Sequence, residues 1–282
     1  MSLLSWNCRA LGNPKTVQVL VDMVHAKRPN ILFLAETFAG TNKLHSVRTK
    51  MGYSGLFCVN NDGHSGSLAL LWKDGTSVSI QSYSKHHIDA IICLSPDDSE
   101  WRFTGYYGVP KRHRRQESWS LLRQLSSRCS LPWVVMGDFN DIMHLNEKRG
   151  GNPQPVRLIR GFCEAVEESG LKDFAFEGYQ YTWERCKGSP NWVEAKLDRI
   201  LISDSWGDLF SNARASSITT PKSDHMSLHL QILPPPMPSP RIRHRFENLW
   251  LRDAHCWEIM IESWSKSHGQ NRPLWKSNLD LG

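Results

Sequence analysis

VVMGDFNDI, residues 134–142, is an apolar run that stops at a glycine and then gives an acid, an aromatic, an amide and a second acid. Three apolar residues in a row, with Trp133 just before them, suit a buried strand. Side chains alternate along an extended chain, so Asp138 and Asn140 share one side and Phe139 takes the other. Gly137 lets the backbone turn, or lets another group approach closely. A carboxylate and an amide fixed at a strand end can hold a metal, a water or a phosphate. The same pair also suits a plain loop start, because both residues favour turns.

Other apolar runs repeat this pattern. SLLSW leads to Asn7, ILFLA to Glu36 and WRFTGYY to Tyr107, while Asp198 opens LDRILI and Asp224 with His225 precedes MSLHLQIL. With SLALLW, VSIQSY, DAIICL and YTW, there are about ten candidate strands. Helical periods fall between some of them. Asn13 caps and Pro14 opens a helix whose Val17, Leu20, Val21 and Val24 share a face. A second spans about 114–128 with Trp119, Leu122 and Leu125 inward, and a third about 155–168. Many strands and few helices predict two packed sheets with helices outside.

Composition narrows the class. Apolar residues at 40% and charged residues at 22% are ordinary for a globular chain of 282 residues. No apolar run is long enough for a membrane span, so no membrane partner is expected. The seven cysteines are scattered and the twelve histidines form no metal-spaced cluster. That pattern argues against a disulfide framework or a zinc site and fits a reducing intracellular setting. A net charge of +6 suits a polyanionic partner. The densest basic run is KRHRR, which contains Lys111, Arg112, Arg114 and Arg115 and follows Tyr107 closely.

The main domain is predicted over 1–233. Residues 234–240, in LPPPMPSP, read as a stiff extended linker. Residues 241–282 read as a helical tail, with Phe246, Leu249, Trp250, Trp257, Met260, Ile261 and Trp264 at helical spacing.

If the sheets bring the strand ends to one rim, three carboxylates besides Glu36 meet two amides, a phenol and an imidazole. A lone Glu36 carboxylate suits Mg²⁺, which keeps several waters and takes one or two carboxylates plus substrate phosphate. Asp138 could take a proton from water. Asn7 and Asn140 would not repel a phosphate. His225, oriented by an acid such as Asp198, could stabilise charge on it.

SWNCRALG, FLAETF, GYYGVP, VVMGDFND, YTW, KLDRILIS and SDHMSL, in this order, resemble the successive motifs of the endonuclease/exonuclease/phosphatase superfamily. The nearest resemblance is to the apurinic-like endonuclease domain of plant LINE-type (non-LTR) retrotransposon polyproteins, and it covers residues 1 to about 233. RFENLWLRD, at 245–253, resembles the connector that follows that domain. The resemblance implies a DNase I-like fold: a four-layer α/β/β/α sandwich of two mainly antiparallel sheets flanked by helices. It also implies a Mg²⁺-dependent phosphodiesterase, with Mn²⁺ as an alternative ion, that nicks one strand of DNA in the nucleus.

By this resemblance Asn7, Glu36 and Asp224 belong to the metal site. Tyr107 lies near the scissile phosphate, Asp138 activates water and Asn140 contacts phosphate. Asp198 orients His225, and Thr182 contacts DNA. Lys111, Arg112, Arg114 and Arg115 are expected to grip backbone phosphates.

Three positions depart from the pattern: Lys111 stands where asparagine often follows the proline of YGVP, and the other two lie in the first motif. Ala10 stands where glycine is usual, at a cost of roughly 1 kcal/mol if that turn needs a positive φ. Arg9 stands where apurinic repair enzymes tend to carry an acid, which favours the retroelement branch. No reverse transcriptase follows, so a free-standing monomeric endonuclease domain or a truncated relic is expected. Two other classes share these residues: a phosphatase or phosphodiesterase on small or lipid phosphoesters, and a catalytically silent nucleic-acid-binding domain.

Overall fold

A computed structural model describes residues 1–59, 67–93, 99–221, 223–233 and 254–267. The chain divides into two compact units, Met1–Pro235 and Pro236–Gly282. The first carries the predicted sandwich. Its first sheet runs β14 (Arg214–Ile218), β15 (Ser227–Gln231), β1 (Ser2–Asn7), β2 (Ile31–Ala35), β4 (Leu68–Trp72) and β3 (Gly55–Val59). The second runs β10 (Leu171–Asp173), β13 (Asp198–Ser203), β8 (Trp133–Asp138), β7 (Trp101–Tyr107), β6 (His87–Cys93) and β5 (Ser77–Ser84). A small third sheet joins β11 (Trp183–Arg185), β12 (Val193–Ala195) and β9 (Lys148–Arg149).

Each large sheet contains one parallel pair, β1 with β2 and β7 with β8, while its other pairings are antiparallel. A parallel pair needs a crossover, and helices supply it. The helix α1 (Pro14–Lys27) links β1 to β2, and α3 (Arg115–Ser126) links β7 to β8. Asn13 caps α1 as expected, its Oδ1 accepting from the Lys15 N–H, with Pro14 at the first turn.

Alternation sorts the strand residues into layers. Leu3, Phe33, Leu70, Phe103, Met136 and Ile200 meet between the sheets. Leu4, Leu32 and Leu34 face outward onto α1 and α2 (Thr41–Lys50). On the opposite side, Val135 and Leu201 pack against Trp119, Leu122 and Leu125 of α3 and Phe162 of α4 (Val156–Glu168). Burying each such side chain stabilises the fold by roughly 1.5–3 kcal/mol. Those contacts make the four layers.

Five strands escaped the sequence reading: β3, β9, β10, β12 and β14. Three of them are only two or three residues long. Partner strands, not local apolar runs, define these three, whereas β3 is an apolar run, GLFCV, that the sequence reading passed over. The expected linker at 234–240 lies outside the described residues, as do Phe246, Leu249 and Trp250. Within the second unit, Ala254–Ser267 forms an α-helix on which Trp257 and Ile261 are exposed.

Candidate active site

Sheet register assembles the site. In the second sheet Tyr107 pairs with Asp138, and Asp138 pairs with Asp198, so three polar side chains stand abreast at the ends of β7, β8 and β13. In the first sheet Asn7 ends β1 opposite Ala35, and Glu36 follows directly. His225 precedes β15, beside β1. The two sheets therefore end on one rim.

Gly137 is required where it stands. Its φ is +150°, and a Cβ there would lie 1.9 Å from the carbonyl oxygen of Tyr106 on the neighbouring parallel strand. The glycine thus permits the close approach that aligns Tyr107 with Asp138. Beyond it Asn140 turns left-handed at φ 58°, and Phe139 is buried against the rings of Tyr106 and Phe162.

At the centre lies a continuous hydrogen-bond network. His225 Nδ1 lies 2.9 Å from Asp198 Oδ2, and its Nε2 is 3.8 Å from Asp138 Oδ2. Asp138 is held from three directions. Its Oδ1 accepts from the Asn140 N–H at 2.8 Å, and its Oδ2 accepts from Asn140 Nδ2 and Asn7 Nδ2, each at 3.0 Å. The Asn7 amide also donates to Glu36 Oε1 at 3.0 Å, and the Tyr107 hydroxyl donates to the same oxygen at 2.8 Å. Asn7, Glu36, Tyr107, Asp138, Asp198 and His225 are all buried.

Burial and neighbours set the protonation states. Burial raises the Asp138 carboxyl above the usual range, with His225 opposing and Asp198 reinforcing that shift. Burial opposes charge on His225, but Asp198 and Asp138 outweigh it and raise the imidazole pKa. Burial, with Glu36 and Asp138 close by, keeps the Tyr107 phenol protonated and able to donate. An acid raised toward neutrality beside a favoured imidazolium is a pair suited to moving a proton.

Asp138, Asp198 and His225 each place a donor atom within 4.8 Å of the others, close enough for metal ligation. Those atoms already bond to one another or to the two asparagines. The unspent lone pairs lie elsewhere. Asn7 Oδ1 and Asp224 Oδ1 are buried without hydrogen-bond partners. The Glu36 carboxylate, which Arg9 links to Asp224, adds further oxygens, and all-oxygen donors of this kind suit a hard divalent cation better than an imidazole-containing set.

The network opens into a groove of about 460 Å³ lined by Glu36, Tyr107, Asp138, Asn140 and His225. Arg9, Arg112, Arg115 and Lys148 also line it. Three of the residues expected at DNA make contacts within the protein. Arg115 is buried and paired with Asp141 at 2.9 Å. Asp141 in turn accepts from Trp119 Nε1, so the last acid of the GDFND motif anchors α3 rather than entering the site. Arg114 forms two hydrogen bonds to Glu117, one helical turn away. Thr182 is fully buried, and its Oγ1 accepts from the backbone N–H groups of Leu197 at 3.0 Å and Asp198 at 2.8 Å. It supports the strand end that carries Asp198 and has no surface to offer DNA. Lys111 and Arg112 are exposed.

The sequence reading missed three other supports. Trp183 Nε1 donates to Asp224 Oδ2 at 2.9 Å. Ser223 bridges two site segments, with its hydroxyl donating to the Asn7 carbonyl and accepting from the His225 N–H. Arg9 contacts two acids of the site. Only Arg9 had a usable signal, its unusual charge inside the first motif.

A profile described as "Endonuclease/Exonuclease/phosphatase family" matches residues 4–225. The chain belongs to that family. Its members are phosphoester hydrolases, and the matched span contains every strand end that builds the network. A comparison with curated protein sequences finds no match. Three solved structures share the fold. One is the endonuclease domain of TRAS1, a telomere-specific non-LTR retrotransposon, with TM-score 0.63, 12% identity, 82% of this chain and 97% of that one covered. Another is the AP endonuclease LMAP from Leishmania major, with TM-score 0.64, 15% identity, and 83% and 88% covered. The third is the 3′ phosphatase NExo from Neisseria bound to a product DNA hairpin, with TM-score 0.61, 16% identity, and 82% and 99% covered. Among the described residues no helix is long and apolar enough to cross a membrane.

Proposed function

We propose that this family member is a Mg²⁺-dependent DNA endonuclease of the LINE retrotransposon type, which nicks one strand by hydrolysing a phosphodiester. The observation that carries this reading is the buried Asp198–His225–Asp138 array at the floor of a groove that also exposes Arg112. Such a groove attracts a polyanionic backbone and delivers a phosphate to the array. The fold shared with a retrotransposon endonuclease supports the choice of branch.

Each residue then has a defined task. Asp138 accepts a proton from the attacking water as its oxygen bonds to phosphorus. Asn7 and Asn140 hold that carboxylate in place. The His225 imidazolium, kept charged by Asp198, faces the negative charge that grows on the phosphate oxygens. Tyr107 donates to Glu36 and fixes its rotamer. The bond from phosphorus to the leaving oxygen breaks, and that oxygen takes a proton from solvent. Glu36, Asn7 and Asp224 would hold the Mg²⁺, which supplies Lewis acidity to the phosphate when bound. Exposed Lys111 and Arg112 would contact flanking phosphates.

The test is relaxation of supercoiled plasmid by the purified chain, with Mg²⁺ or EDTA, beside Asp138→Ala. The expected result is Mg²⁺-dependent nicking that falls at least ~100-fold in the variant, as for loss of a general base. Undiminished nicking by Asp138→Ala would refute the assignment. Release of phosphate from a 3′-phosphorylated oligonucleotide, without plasmid nicking, would favour a phosphatase. The NExo likeness makes that the competing reading.

A further inference from the structure

Backbone bonds fix Arg9 beside Glu36. The Ala10 N–H donates to the Glu36 carbonyl at 2.9 Å, and the Leu11 N–H donates to the Thr37 carbonyl at 2.8 Å. Arg9, Ala10 and Glu36 all take positive φ, at 42°, 88° and 51°. Two left-handed turns are thus tied together, and backbone in such turns is held there by the structure around it. From there the guanidinium reaches two acids distant in sequence. Its Nε lies 3.2 Å from Glu36 Oε2 and its Nη1 2.6 Å from Asp224 Oδ2. The Arg9 side chain is 50% exposed, so solvent can receive it if those contacts break.

These two carboxylates are the charged members of the oxygen donor set described above. The neutral member, Asn7 Oδ1, and the second Asp224 oxygen are buried and unpartnered. One pair of acids therefore faces two claimants of the same sign, and a carboxylate oxygen shared between a guanidinium and a divalent ion would set like charges against each other. We propose that Arg9 is the resident cation of this site and competes with the divalent ion for the charge of the Glu36 and Asp224 carboxylates. The metal enters by displacing the guanidinium. Displaced, the side chain stays tethered to a fixed backbone at the groove wall, where its planar fork can bind a phosphate oxygen pair. Arg9 thus lowers metal affinity in the free protein and joins the substrate contacts once metal is in place. This inference rests on the metal-dependent reading.

Mn²⁺ binding, followed by the electron paramagnetic resonance of the free ion, tests it without substrate. The full chain is compared with Arg9→Ala, Arg9→Lys and Glu36→Gln at fixed ionic strength, with thermal unfolding as the check that each variant folds. Arg9→Ala should bind Mn²⁺ at least ~10-fold more tightly than the parent, because a competing charge is gone. Arg9→Lys should stay near the parent, and Glu36→Gln should lose binding. If Arg9→Ala does not fold, Arg9→Gln carries the same expectation. Parent-like or weaker binding by the neutral Arg9 variant, with binding still lost in Glu36→Gln, overturns the competition and leaves the metal reading standing. Absence of Mn²⁺ binding in parent and variants alike overturns both.

Discussion

Thr182 separates two accounts of one residue. Replacement by valine keeps the branched shape but removes the hydroxyl oxygen that accepts from the Leu197 and Asp198 N–H groups. The Asp198 bond is buried and the Leu197 bond half-buried. A buried donor left without a partner costs about 1–3 kcal/mol, so the pair costs roughly 3 kcal/mol with the second group discounted for its access to water. For a unit of this size each kcal/mol shifts the melting temperature by about 2–4 °C, which predicts a fall of roughly 6–12 °C. Differential scanning calorimetry reads the stability. Fluorescence anisotropy with a DNA duplex in EDTA, well below the transition, reads binding, which should stay within about twofold. A melting temperature within about 2 °C of the parent, together with weakened DNA binding, would refute the buried-acceptor account. It would put the hydroxyl back on a DNA-facing surface.

Other outcomes follow from the electrostatics. Asp198→Asn removes the charge that most raises the His225 pKa, so that pKa should fall. Imidazole NMR titration checks this, and an unchanged pKa would mean that Asp198 does not set the charge of His225. Burial pushes His229 down to about 4, with Lys27 adding to the effect, and burial does the same to His87. Between pH 6.5 and 4 the unfolded chain binds protons there that the folded chain refuses. The contribution of both residues to stability is therefore full above pH 6.5 and is lost as pH falls toward 4. The urea midpoint should fall across that window and fall less in His229→Gln; parallel slopes for the two proteins would remove His229 from the explanation.

The legible parts of the sequence were those with local causes. Asn13 and Pro14 marked a helix start, and apolar runs marked the inner strands, because caps and periods are written in neighbouring residues. The strand ends Asn7, Glu36, Tyr107 and Asp138 could be placed because each closes an apolar run. What distant segments decide was not legible. Whether Arg115 grips a phosphate or ties down α3 depends on Asp141 lying opposite it. Whether Thr182 faces DNA depends on the chain folding over it at Leu197. The expectation at Ala10 rested on turn geometry, and the φ of 88° is the positive value that it required. Arg9 was visible as an oddity of charge, but its acids lie 27 and 215 positions away.

The pairing of β1 with β15 has a consequence for engineering. Ser2 lies opposite Gln231, and the amino group of Met1 donates to the carbonyl of Ile232 at 3.1 Å. The two ends of the sandwich leave it side by side, on strands that hydrogen-bond to each other. A short peptide could join them, and new termini could then be opened in an exposed loop without cutting either crossover. The same adjacency makes the sandwich a cassette: spliced into a surface loop of an unrelated host, it would require only a gap the width of two neighbouring strands.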